Sequence, residues 1–196
     1  MSDSFRETIL LFVFSISQIR KKININTLQR YLYLYYITGQ FLQEEVKSEV
    51  TVYTDRHFGI KISGFSEEID RLVATDFLSR ETTILCPNAK LVNWGNSLSP
   101  DGLSAEKLKE IQSFVNLLTS YDDDTVFSLL FEEPSVKSAK NRNIEVSVSN
   151  SELSELLNTF YDSITEQTIE KYDVLSHWLN FIIQHIQNDK RGETVE

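Results

Sequence analysis

The chain has 196 residues, of which 41% are hydrophobic and 24% are charged, and its formal net charge is −10 at pH 7. This composition excludes a disordered or fibrous chain, and the length suits one domain, or one domain with an appendage. The single cysteine, Cys86, excludes an internal disulfide framework and any CxxC metal or redox centre. The chain has only three prolines and six glycines, and such low numbers favour helices over a loop-rich β-sandwich.

The negative charge is concentrated in the middle of the chain. Residues 1–62 carry 8 basic and 6 acidic groups, residues 63–136 carry 5 and 13, and residues 137–196 carry 6 and 10. Duplex DNA carries one negative charge per ~1.7 Å of its axis. The acidic middle segment is therefore expected to be repelled by DNA.

The apolar segment Ile9–Ile16 is too short to span a membrane. It has eight residues, whereas a spanning helix needs ~20. No basic region precedes it, as a secretory signal requires. We expect a buried first helix, no membrane contact and a cytoplasmic protein.

The first half of the chain predicts three helices followed by a β-hairpin. Helical spacing of apolar residues predicts a first helix over 4–18, a second from Asn24 or Asn26 to Gly39, and a third beginning at Ser66. Short strands are expected at 50–54 and 58–62, and hairpin strands at 82–85 and 90–93 around a Pro87-Asn88-Ala89 turn. This is the order of a winged helix-turn-helix, which we expect to occupy residues 1–98.

The second half predicts a helical extension over residues 99–196. Helices are expected over 104–119, 121–134, 151–161 and 166–187. Residues 135–150 lack helical apolar spacing and are expected to form an exposed loop, in which Ile144, Val146 and Val148 alternate as in an edge strand. The expected fold is mostly α with a small β-hairpin: a winged helix-turn-helix core and a helical C-terminal extension.

No group of residues has the spacing of a catalytic, cofactor or metal site. Asp122, Asp123 and Asp124 are consecutive, so on a helix their carboxylates diverge by about 100° each; they are expected to be a helix N-terminus that suits the helix dipole. His177 and His185 are eight residues apart, unlike the i, i+4 pair of a zinc helix, and the glycines form no phosphate-binding loop. We expect no enzymatic activity, cofactor, metal or small-molecule substrate.

The second helix is a candidate surface because it carries four tyrosines. Tyr31 and Tyr35 stand out, with Tyr33 and Tyr36 beside them and the basic segment Arg20–Lys22 nearby. Aromatic and basic groups together are typical of nucleic-acid binding, and tyrosine is also enriched in protein interfaces. Packing in the core is the third interpretation.

The last helix is a candidate surface because its apolar arc is wide. One stripe is formed by Tyr172, Leu175, Leu179, Ile182 and Ile186. Trp178, Phe181 and Ile183 widen the arc beyond what one buried face requires. Trp178 and Phe181 are therefore expected to contact a partner, with core packing as the alternative.

Several short segments of the sequence resemble those of a known protein family. They are the opening apolar helix, NTLQRYLYL at 26–34, residues 65–77, LSPDG at 98–102, DTVF at 124–127 and EP at 133–134. Over residues 5–135 they resemble the middle component of ABC-three-component systems, and in particular the small accessory subunit of Lamassu-type SMC anti-phage defence complexes. The phrase LQRYLY at 28–33 also resembles Panacea-type antitoxins and proteolytic adaptors.

The resemblance implies a small winged-helix subunit that bridges an SMC-like ATPase and an effector nuclease. It implies contact with DNA only through the assembled complex. The third helix departs from a DNA-reading helix, because Glu67, Glu68 and Asp70 lie where Arg, Lys or Asn would be needed. We therefore expect a non-catalytic accessory subunit in anti-phage or anti-plasmid defence. The alternatives are a winged-helix DNA-binding regulator or Panacea-like antitoxin, and a stand-alone enzyme.

Overall fold

The computed structural model describes residues 3–42, 51–55, 59–98, 102–132, 134–147, 152–164 and 169–192. The helices are α1 (Asp3–Ser17), α2 (Ile25–Leu42), α3 (Phe65–Ala74), α4 (Ala89–Asn96), α5 (Leu103–Thr119), α6 (Asp123–Glu132), α7 (Pro134–Arg142), α8 (Glu152–Ser163) and α9 (Lys171–Gly192). The strands are β1 (Ile23–Asn24), β2 (Thr51–Asp55), β3 (Gly59–Ile62), β4 (Leu78–Glu81), β5 (Ile84–Pro87) and β6 (Glu145–Ser147). The fold is mostly helical, as the sequence predicts, and the strands form two small sheets in which β1–β5, β4–β5 and β2–β6 pair antiparallel.

The chain divides into two compact units. Unit 1 comprises residues 1–32 and 62–120, and unit 2 comprises residues 33–61 and 121–196. The boundary predicted after residue 98 lies inside unit 1, because α5 packs against α1 and belongs to the same core. None of the helices in the described ranges has the length and apolar content that crossing a membrane requires.

Helix α1 is the centre of unit 1. Every residue from Thr8 to Ile16 is buried, in agreement with a sequence that is apolar nearly all round. The helix packs against α4 and α5, and the rings of Phe12 and Phe114 meet edge to face with their centroids 6.3 Å apart. The prediction of a central first helix is confirmed.

The sheet of unit 1 has the strand order β1-β5-β4, and its hairpin differs from the predicted one. Strands β4 and β5 are joined by Thr82 and Thr83, and Thr82 has φ 56°. A β-branched residue rarely adopts this conformation, so the turn has no sequence signature. Asn88, predicted at the tip, instead precedes α4, and its amide donates to Asp76 Oδ1 at 2.8 Å. The predicted strand at 90–93 is therefore part of a helix.

Unit 2 contains the sheet β3-β2-β6 and the helices α6 to α9. Residues 135–150 are not the continuous loop that the sequence predicts, because they include most of helix α7. This helix packs on β2. Among the side chains of α7 that the structure describes, Val136 and Ala139 are buried and lie three residues apart. The predicted edge strand is present as β6, in which Val146 pairs with Val52.

Candidate partner-binding surface

The tyrosines of α2 are core residues. Tyr31 and Tyr35 are both buried, as are Tyr33 and Tyr36. The Tyr31 hydroxyl accepts a hydrogen bond from Arg20 Nη2 at 3.1 Å, and the Tyr35 and Tyr36 rings meet edge to face. Residues 31 to 39 of α2 are buried without interruption, so Tyr31 and Tyr35 do not lie on an exposed surface of this structure.

Helix α9 buries one face and exposes the other. Val174, Leu175, Leu179 and Ile183 form its buried face, while the side chains of Ile182 and Ile186, predicted in the stripe, lie outside the described residues. Trp178 is half-buried. Phe181 is 67% exposed, so its ring lies mostly in solvent. The structure thus distinguishes two residues that the sequence could only group together.

Helix α9 is held next to Phe181 by contacts with the start of α6. The Tyr121 hydroxyl, just before α6, donates a hydrogen bond to Asn180 Oδ1, and α6 packs along α9. A tyrosine hydroxyl is protonated at neutral pH, and partial burial raises the pKa of Tyr121 further, so it stays the donor in more alkaline solution as well. Phe181 is presented by a helix that is fixed by its neighbour.

Helix α8 carries two exposed apolar side chains that the sequence analysis missed. Leu156 is 59% exposed and Phe160 is 51% exposed, whereas Leu153 and Leu157 are buried. Residues four apart lie on the same face of a helix, so Leu156 and Phe160 form a continuous apolar pair. We call this pair the α8 face. The i, i+4 spacing was visible in the sequence, but which of the leucines are buried was not.

The acidic triplet opens a helix as predicted. Asp122 Oδ1 accepts a hydrogen bond from the Thr125 backbone N–H at 2.8 Å, and Oδ2 accepts one from the Thr125 hydroxyl at 2.7 Å. These bonds hold the pKa of the Asp122 carboxyl below its usual range. Among the described residues, no three His, Cys, Asp or Glu side chains are grouped so as to hold a metal ion.

Replacing Asp122 by alanine is expected to lower the melting temperature at pH 7, because the first turn of α6 loses its cap. A carboxyl with a depressed pKa stabilises the fold above its unfolded pKa and loses this contribution as the pH falls through its folded pKa. The difference in melting temperature between wild type and Asp122→Ala should therefore shrink below pH ~4. Asp124→Asn is the control, since no hydrogen bond to its carboxylate is part of the cap. A difference that persists at pH 2 would contradict the assignment.

Three other residues were singled out by their chemistry: His177, Cys86 and His185. His177 is exposed, and its Nδ1–H donates to the Asp173 carbonyl oxygen at 2.8 Å, one turn earlier in α9. Cys86 is a half-buried free thiol in the hairpin strand β5. His185 lies in α9, but its side chain is outside the described residues.

Two of the three acidic groups of α3, Glu68 and Asp70, form ion pairs within unit 1. Glu68 is buried and forms ion pairs with Arg6 of α1 and, at 3.3 Å, with Arg71. Asp70 accepts a hydrogen bond from Arg80 Nη1 of β4 at 3.0 Å. Arg80, the basic residue of the hairpin that could bind a phosphate, is therefore paired with the Asp70 carboxylate.

Comparison with protein-family models, with curated proteins and with solved structures finds no match for this chain.

Proposed function

We propose that the chain is a non-catalytic accessory subunit that binds other proteins through the exposed apolar side chains of α8 and α9. The observation that carries this proposal is Phe181, whose large ring is 67% exposed on a helix in which Val174, Leu175, Leu179 and Ile183 are buried. Aromatic residues most often carry the binding energy of protein interfaces. By the resemblance described above, the partners are an SMC-like ATPase and an effector nuclease of a cytoplasmic anti-phage or anti-plasmid system.

We further propose that unit 1 has a winged-helix arrangement. Its elements follow the order α1, β1, α2, α3, β4, β5, with the first strand paired to β5 and β5 paired to β4. Helix α3 packs against the hairpin through β4. These observations support three helices closed by a small sheet, the order expected from the sequence.

The charges on α3 favour an accessory subunit over the alternative, a DNA-binding regulator. A recognition helix reads the major groove with Arg, Lys, Asn or Gln. Glu67 and Asp70 are exposed on α3, and Asp70 is bound to Arg80. The exposed Glu67 carboxylate repels the phosphate backbone, which supplies most of the affinity in non-specific binding, and Asp70 compensates the charge of Arg80.

The purified chain alone is expected to bind duplex DNA no more tightly than non-specific proteins do, with a Kd of ~1 µM or weaker at physiological salt. Fluorescence anisotropy with labelled duplexes of random sequence and of the DNA upstream of its own reading frame measures this. Sub-micromolar binding to one sequence, with discrimination against random DNA, would favour the regulator and contradict the proposal.

A further inference from the structure

A lysine at the start of α9 lies over two aromatic rings in unit 2. Phe41 is near the end of α2, and Tyr161, which follows the α8 face in sequence, is near the end of α8. Their rings meet edge to face with the centroids 6.1 Å apart. Lys171 Nζ lies 5.6 Å from the centroid of the Phe41 ring and 5.8 Å from that of the Tyr161 ring. One side chain therefore joins the ends of three helices.

The surroundings of Lys171 make the two rings its main partners. A cation within about 6 Å of an aromatic centroid is attracted by the charge distribution of the ring, and more strongly where water is excluded. Phe41 is fully buried, and Tyr161 and Lys171 are half-buried. Within the part of the chain that the structure describes, no carboxylate forms an ion pair with Lys171.

The position of Lys171 in α9 opposes its charge. Lys171 is the first residue of the helix, and the Glu170 carbonyl oxygen accepts hydrogen bonds from the N–H groups of Asp173 at 3.0 Å and Val174 at 3.2 Å. The N-terminus of a helix carries partial positive charge, so a cation there is unfavourable. A neutral side chain would stabilise the start of α9 if the rings contributed nothing. The rings therefore determine the sign of the effect of a substitution at this position.

We propose that Lys171 is a charge-dependent clamp that fixes the start of α9 on the ends of α2 and α8. Removal of its positive charge opens the first turns of α9 while the rest of the fold is retained. Helix α9 also carries Phe181, so the clamp is a positioning device for the helix of the proposed binding surface. In this respect alone the inference rests on the proposed function. Its test uses no partner, so the two proposals fail separately.

Amide hydrogen exchange of the full chain, read by NMR, measures the opening. The Val174 amide closes the first turn of α9, and the amide of Val115, buried in α5 of unit 1, is the reference. Lys171→Gln is expected to speed exchange at Val174 about two- to fivefold, the factor for one exposed cation–π contact, and to leave Val115 unchanged. Lys171→Arg keeps a cation over the rings and should restore wild-type exchange.

Replacement of a ring separates the clamp from attraction by the exposed carboxylates of Glu170 and Asp173. Tyr161→Leu is expected to speed exchange at Val174 as Lys171→Gln does, whereas Tyr161→Phe, which keeps the ring, should leave it unchanged. In the double variant with Lys171→Gln and Tyr161→Leu, the two effects should be less than additive, because either change removes the same contact.

Four results would overturn the inference. Exchange at Val174 that is unchanged or slower in Lys171→Gln would show that the helix dipole outweighs the rings. Equal effects of Lys171→Gln and Lys171→Arg would assign the contact to the shape of lysine rather than to its charge. Additive effects in the double variant would show that ring and charge act separately. Equal acceleration at Val174 and Val115 would show a loss of global stability in place of a local opening.

Discussion

Replacing Gly95 by alanine is expected to lower the melting temperature of the chain by about 2–4 °C, the shift that ~1 kcal/mol causes in a chain of this length, although alanine is the better helix former. A Cβ at Gly95 in α4 would lie no more than 2.7 Å from three ring carbons of Phe14 in α1. Phe14 is buried, so its ring has little room to move. Overpacking a core costs ~1–3 kcal/mol, and here it outweighs the gain of ~1 kcal/mol in helix propensity.

A second substitution separates this packing effect from a general weakness of α4. Phe14→Leu removes the ring that the new methyl group would meet, so Gly95→Ala should cost less stability in the Phe14→Leu background than in the wild type. Asn93→Ala, at an exposed position of α4, is the control for helix propensity and should leave the melting temperature nearly unchanged. A Gly95→Ala protein that melts at or above the wild-type temperature would show that α1 and α4 do not meet as closely as described.

Replacing Phe181 by alanine is expected to weaken partner binding about 30-fold without lowering the melting temperature. Loss of an aromatic hot spot costs ~2 kcal/mol or more of binding free energy, whereas a ring that is 67% exposed contributes little to the core. Trp178→Ala is expected to lower the melting temperature as well, because Trp178 is half-buried. Titration of the purified partner subunit, with melting curves of each variant, measures both effects.

The control for Phe181→Ala is Leu103→Ala. Leu103 is more exposed than Phe181 but belongs to unit 1. The Leu103→Ala substitution therefore removes an exposed apolar side chain from a different surface, and it should leave the affinity for the partner unchanged. Equal losses with both variants, or a large fall in melting temperature with Phe181→Ala, would place the binding energy elsewhere.

The helices were predictable from the sequence because apolar spacing determines them over many residues. The first helix, the helix from Leu103 to Thr119 and the acidic start of α6 all follow from such spacing or from a cap. The hairpin was displaced by several residues because Thr82 adopts a conformation for which its side chain gives no signal. Helix α7 was not predicted because Val136 and Ala139 alone do not form a recognisable apolar stripe in the sequence. The helix packs on β2, a contact that the sequence pattern does not reveal.

The candidate site was less predictable than the fold, because exposure depends on which apolar face finds a neighbour. The tyrosines of α2 exceed the need of one buried face, but the helix is buried on all sides between residues 31 and 39. Leu156 and Phe160 have the spacing of core residues and are exposed. Trp178 and Phe181 are three residues apart and differ in exposure, a difference that only tertiary packing decides.

We propose that this chain works as a bound subunit, and its co-elution with its neighbours tests this directly. The tagged chain is co-expressed with the products of the two adjacent reading frames, purified, and its assembly mass is measured by size-exclusion chromatography with light scattering. We expect one assembly that contains this chain and at least one neighbour, and we expect the Phe181→Ala variant to elute free of it with a normal melting curve. A wild-type chain that elutes alone from cells containing both neighbours would contradict the account.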